Sequence, residues 1–376
     1  MDIECKHGII TRRTTGTFGY HAWGTVTKLT DGTLVAGCSG GRLYHVCPFG
    51  KSMLFFSHDD GETWSAPMIV NDTWLDDRDV GLTALPNNGL LMSWFSLDYD
   101  ILDKNDAGLR KIYSEAEYQM TNAYRAAAYC DPEEKPGSFV RVSRDGGMTW
   151  GEAVEVPVSA PHGPILLQDG SLLYLGKRRT GAEGEKREIV AYGSMDSGVT
   201  WKELGHVPLM EGTSWEYMFE PHAVQLPSGR ILGAIRYEGG PYMNMEQRYL
   251  QWTTLLTWSD DGGRTWSMPH GTGICGSPPH LMRHSSGAIV LSYGRREIGN
   301  QRECVRISWD EGKTWSQEIA ICDNVPDWDM GYTSTVELSD GSLLSTYYQK
   351  YQEGDKVDKK TSFLYTKWTL PERKDA

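Results

Sequence analysis

Ser57-His58-Asp59-Asp60-Gly61-Glu62-Thr63-Trp64 is the stretch on which the fold turns, because its pattern, Ser-x-Asp-x-Gly-x-Thr-Trp, returns four more times. The other copies are Ser143–Trp150, Ser194–Trp201, Ser259–Trp266 and Ser308–Trp315. These residue types suit a tight hairpin turn. Ser and Asp oxygens accept hydrogen bonds from nearby backbone N–H groups, Gly supplies positive φ, and Trp packs back onto the sheet beneath. The five copies therefore read as structural punctuation, not as reacting groups.

A second repeat lies between them: an apolar strand, a turn containing Gly, and another apolar strand. Its glycines are Gly32, Gly89, Gly170, Gly229, Gly287 and Gly341. Each copy reads strand, Gly turn, strand, loop, strand, Asp-containing turn, strand, which is a four-stranded antiparallel blade. Six copies predict an all-β fold, a six-bladed β-propeller spanning 1–376 as one domain, whose ring closure removes exposed sheet edges. The sixth copy lacks its Asp-containing turn, so Gly8–Arg13 is expected to supply its missing fourth strand.

The composition agrees. The 376 residues include 14 Trp, 19 Tyr and 42 Gly, which excludes disorder as the main state. A net charge of −13 argues against sequence-independent nucleic-acid binding. The seven Cys (Cys5, Cys38, Cys47, Cys130, Cys275, Cys304 and Cys322) contain no CxxC pair and are expected to be free thiols. The N-terminal MDIECKHGII has no apolar signal region and no run is long enough for a bilayer span. A cytoplasmic protein with no membrane partner is the expectation.

Blade connectivity puts both kinds of turn on one face and the start of each innermost strand on the other. Nine residues before each Gly stand Trp23, Val80, Pro161, Glu220, Pro278 and Tyr332. Seven after stand Ser39, Ser96, Lys177, Arg236, Gly294 and Tyr348, with Arg178 and Arg295 one step further. Glu220, Arg236, Arg295 and Tyr332 are thus expected at one mouth. A carboxylate among arginines there suggests recognition of an anionic ligand. Copy two is longer: 54 residues separate Gly89 from Ser143, against 21 to 30 elsewhere. The excess, 98–139, lies on the working face. Leu109, Ile112, Tyr113, Ala116, Met120, Ala123, Tyr124 and Ala127 follow helical spacing within it, predicting an amphipathic helix whose stripe packs on the blade rim. A lid or an oligomer contact is the other use of such an insertion.

With five Asp-boxes and six blades, the chain resembles the sialidase (neuraminidase) superfamily over essentially its whole length. The site motifs extend the likeness: EPHAVQLPSGRILGAIR carries Glu220 and Arg236 at the family's spacing, and GYTSTVELSDGSLLSTYY carries Tyr332. The resemblance implies Tyr332 as nucleophile, Glu220 as its general base and Arg236 on a substrate carboxylate, the Tyr-based exception to two-carboxylate glycosidases. It implies a hydrolase of a terminal acidic sugar, with no cofactor. The likeness departs on blade one. The family's Arg-Ile-Pro is absent, Ala22 holds the arginine's position, and no Asp lies between Gly32 and the first box. That stretch offers Arg42 and His45 instead. LDDRDVGLT, opening blade two, supplies Arg78 as a replacement arginine and Asp79 or Asp77 as a replacement acid; a salt-bridged strand entry is the alternative.

His162, His222 and His280 each follow a Pro at the same level of three consecutive inner strands. They lack metal-motif spacing, so channel-lining hydrogen bonds or proton transfer are expected and no metal. The leading reading is an exo-glycosidase with Arg78, Arg236 and Arg295 on the carboxylate, and Asp79 as acid/base. A hydrolase of another sugar, a uronate lyase using His45, His222 or Tyr332, and a non-catalytic carbohydrate-binding propeller are the alternatives.

Overall fold

A computed structural model describes residues 3–128, 134–178, 187–239 and 253–373. It is a ring of six antiparallel sheets. Blade 1 is built from Tyr20–Lys28, Leu34–Arg42, Lys51–Ser57 and Met68–Asn71. Blade 4 runs from Met218–Gln225 through Ile231–Tyr237 and Thr253–Ser259 to His270–Cys275. Blade 6 orders Met330–Glu337, Leu343–Glu353 and Lys356–Trp368, and its outermost strand is the N-terminal Cys5–Thr11, paired antiparallel to Lys356–Trp368. The first strand of the chain therefore closes the ring. Apolar faces of adjacent blades pack on each other: Leu34, Ala36 and Phe55 meet Leu344 and Phe363 across the closure, and Val35 and Leu54 meet Leu82 and Leu90.

The five boxes do what their residue types dictate. In each, the Ser hydroxyl accepts the N–H of the box Gly (2.8–2.9 Å). Asp Oδ1 in turn accepts the Thr N–H at 2.8–2.9 Å. The box Gly residues take φ between 82° and 96°, so the turn needs glycine there. Three box Trp residues also donate Nε1–H to a turn carbonyl.

The insertion holds two helices, not one: α1, Asp100–Ile112, and α2, Glu115–Ala128. The break is chemical. The Glu117 carboxylate accepts the N–H and hydroxyl of Ser114, and Ser114 Oγ accepts the Glu117 N–H, a capping box that starts a new helix. Leu102, Leu109 and Tyr113 pack with Leu43, Cys47 and Tyr99, and Tyr113 donates to the Val46 carbonyl (2.7 Å). The helices thus press on the 43–49 loop of blade 1. Residues 129–133 of the insertion, with Cys130, lie outside the described residues; the other six Cys are free thiols. No described helix is long and apolar enough to cross a membrane.

Candidate active site

Four innermost strands share one irregularity. Between Ala22 and Thr25, Arg78 and Gly81, Phe219 and His222, and Gly331 and Ser334, the inner strand has one more residue than its partner. Each of these β-bulges holds a non-glycine residue in the left-handed region: Trp23 (φ 56°), Asp79 (53°), Glu220 (44°) and Tyr332 (56°). Such a conformation costs about 1–3 kcal/mol per residue, and bulges of this kind re-aim side chains at functional sites. Here they turn one indole, two carboxyls and a phenol toward a common mouth.

The phenol of Tyr332 donates a short hydrogen bond to Glu220 Oε1. Arg236 holds the other Glu220 oxygen through Nη1 and reaches Glu238 through Nη2. Burial pushes the Glu220 carboxyl up, but the Arg236 charge and the Tyr332 hydrogen bond outweigh it, so Glu220 stays below its ordinary value and ionised. The same burial, with the Glu220 and Asp79 charges, holds the Tyr332 phenol well above its ordinary value. The resting pair is therefore a neutral phenol beside a carboxylate.

Asp79 faces that pair, 5 % exposed. Burial first, and then the Glu220 charge, raise its carboxyl to about 8, against the pull of Arg78, Arg42 and Arg236. Near neutral pH it carries a proton that it can give away. Asp77, the other candidate acid, is withdrawn. It is fully buried and accepts hydrogen bonds from Asn71, Thr73 and Ser96 (2.6–3.0 Å), so it braces the strand entry.

Arg78 lies with its guanidinium 4.0 Å from the Trp23 ring and donates to the His45 carbonyl. Its neighbour Asp76 pairs chiefly with Arg42, which is 0 % exposed and bidentate (2.5 and 3.0 Å), and more distantly with Arg78 (3.3 Å). Asp76 and Asp77 are thus tied into the wall of blade 2, while Asp79 lies near Glu220. His45 contacts Asp329 and the Tyr20 hydroxyl through Nδ1 (both 3.0 Å). Asp329 also accepts from Tyr20 and Tyr348, making a buried hub between blades 6 and 1.

One expectation is corrected. Arg295 does not join the cluster: it pairs with Glu297 and Glu318. The next residue, Arg296, takes that place, with its guanidinium 5.7 Å from the Tyr332 ring and its Nη2 on the Met330 carbonyl (2.8 Å). His222 and His280 sit within a buried stack with His162, ring centroids 4.5–5.6 Å apart. His222 Nδ1 accepts the Leu281 N–H and His280 Nδ1 accepts the Thr335 N–H. Their remaining nitrogens carry the protons in the neutral rings, which leaves them no free lone pair for a metal. Among the described residues no group of three or more His, Cys, Asp or Glu could hold a metal ion.

Sequence reading missed Arg296, Asp329 and Glu238. It also placed Val80, not Asp79, at the constant offset from Gly. The cause lies in the blade 2 turn, where Asn87 and Asn88 take the left-handed conformation and Gly89 stands one place further along.

Comparison with known proteins follows the same line. No curated protein matches the chain in sequence. Among solved structures, a protein of unknown function from Dyadobacter fermentans superposes with TM-score 0.75 at 20% identity, covering 98% of this chain and 99% of that one. The NanB sialidase of Streptococcus pneumoniae gives 0.66 at 13% identity, over 96% of this chain and 70% of that one. The α-L-arabinofuranosidase Arb93A of Fusarium graminearum gives 0.60 at 16%, over 92% of each. At these identities the likeness establishes the propeller fold alone. The family model for the BNR repeat-like domain matches residues 131–357, well over half of the sequence, and with its five boxes and six blades the chain belongs to that family.

Proposed function

We propose that the chain is an exo-acting glycosidase that removes a terminal acidic sugar with a tyrosine nucleophile. The observation that carries this reading is the Tyr332–Glu220–Arg236 contact, assembled by two left-handed bulges from blades 4 and 6. A neutral phenol approaches an anionic sugar without charge repulsion. As Tyr332 Oη attacks the anomeric carbon, its proton passes to Glu220. The glycosidic C–O bond breaks and Asp79 gives its proton to the leaving oxygen. Water then attacks the anomeric carbon, losing a proton to Asp79, while the bond to Tyr332 Oη breaks and Glu220 returns its proton to the phenol, so the sugar leaves with retained configuration. Arg236 and Arg296 flank the reacting centre to bind the sugar's carboxylate, and Arg78 supports them from blade 2.

A second reading has its own support. At the blade 1 mouth Trp23 takes the left-handed place and packs against Arg42 and Arg78. With no arginine on that innermost strand, Tyr20–Lys28, a hydrolase acting on a less acidic sugar fits as well, and one structural neighbour is an arabinofuranosidase. The test is an assay of sialyl-, Kdn- and Kdo-type glycosides beside an α-L-arabinofuranoside. Turnover of an acidic glycoside, lost in a folded Tyr332→Phe, is expected. Turnover of the arabinofuranoside alone selects the second reading, and no turnover of any acidic glycoside refutes the first.

A further inference from the structure

We infer that Lys177 is a carboxylate-binding residue of this site, taking from blade 3 the share of anion recognition that blade 1 does not provide. This rests on the reading of an acidic substrate above. Lys177 stands seven residues after Gly170, as Arg236 stands seven after Gly229, and the two hairpins have the same length (Leu166 opposite Leu172, Gln225 opposite Ile231). Lys177 is therefore the blade 3 equivalent of Arg236. Its side chain crosses to blade 4, where Nζ lies 3.8 Å from the centroid of Phe219, the residue before Glu220. Among the described residues it donates there only to the Trp215 carbonyl, at 3.0 Å.

The commitments of the other cations make this position distinctive. Arg42 is paired with Asp76, Arg236 with Glu220 and Glu238, Arg295 with Glu297 and Glu318, and Lys350 with Asp329. Among the described residues Lys177 and Arg296 are the cations flanking the Tyr332–Glu220 pair that make no ion pair. Blades 3, 4 and 5 thus present an arc of Lys177, Arg236 and Arg296. Lys177 is 7 % exposed. Burial, then Arg187, lower its amine to about 7, while Glu220, Glu238 and Glu216 act the other way. A carboxylate arriving beside it restores the proton, so binding above pH 7 takes up a proton and affinity falls as pH rises through 7.

The experiment is calorimetric titration of the full chain with N-acetylneuraminate and with D-glucuronate, at pH 6 and pH 8, in two buffers of different ionisation enthalpy. Wild type is expected to take up a proton at pH 8. Lys177→Gln is expected to bind about tenfold more weakly at pH 6, close to 1.4 kcal/mol. Lys177→Arg is expected to bind at both pH values with less proton uptake than wild type at pH 8, the remainder being taken by Asp79. Equal affinity and equal proton uptake in wild type and Lys177→Gln overturn this inference and leave the acidic-substrate reading standing. Failure of wild type to bind either acid overturns both.

Discussion

Asp79→Asn should make the protein more stable while removing its acid. The Asp79 carboxyl is raised from 3.8 to about 8, first by burial and then by Glu220. The folded state holds that proton while the unfolded chain releases it near pH 4. Stability contributed by the protonated group is therefore whole below pH 4, declines as pH rises, and reaches its floor above pH 8. At about 1.4 kcal/mol per unit the loss is about 4 kcal/mol at pH 7 and about 5–6 kcal/mol above pH 8. Asparagine is a neutral isostere that never ionises, and it tolerates left-handed φ well, so the bulge at Asp79 (φ 53°) adds no cost. Equilibrium urea denaturation of both proteins at pH 4.5, 6, 7 and 8.5 should give a stability gap that widens steadily with pH and then levels. Activity of the variant should be close to nil at every pH. If the two stabilities instead run parallel from pH 4.5 to 8.5, Asp79 ionises as an ordinary carboxylate and its assignment as the proton donor fails.

Other perturbations test the remaining parts. Arg42→Ala leaves Asp76 buried without its bidentate partner and should cost about 3–5 kcal/mol in urea denaturation. Ser194→Ala removes the acceptor of the buried Gly198 N–H and should cost about 1–3 kcal/mol, with unchanged specific activity of the folded fraction. Tyr332→Phe should retain wild-type circular dichroism and lose turnover of any glycoside the wild type cleaves, since only the hydroxyl toward Glu220 is removed.

The blade count, the box turns and the closure by an N-terminal strand were legible because each depends on local chemistry repeated at intervals. Ser, Asp, Gly, Thr and Trp dictate a turn wherever they recur, and Gly341 without a following box left a blade one strand short. Part of the site was legible for the same reason: Glu220, Arg236 and Tyr332 stand at constant offsets from their glycines, and the ring brings those offsets to one mouth.

The tertiary structure decided the rest. Glu220 and Tyr332 are 112 residues apart, and their hydrogen bond exists because the ring brings blades 4 and 6, with blade 5 between them, to the same mouth. One extra residue in each of four inner strands breaks the period-two alternation by which side chains are assigned to faces, so Asp79 turns in while Asp77 is held in the wall. Arg296 displaced Arg295 because Glu297 and Glu318 capture the latter, a choice between neighbours that no spacing records. Repetition specifies the frame through short-range turn chemistry; bulges and competing ion pairs, settled only when distant strands meet, specify which groups can react.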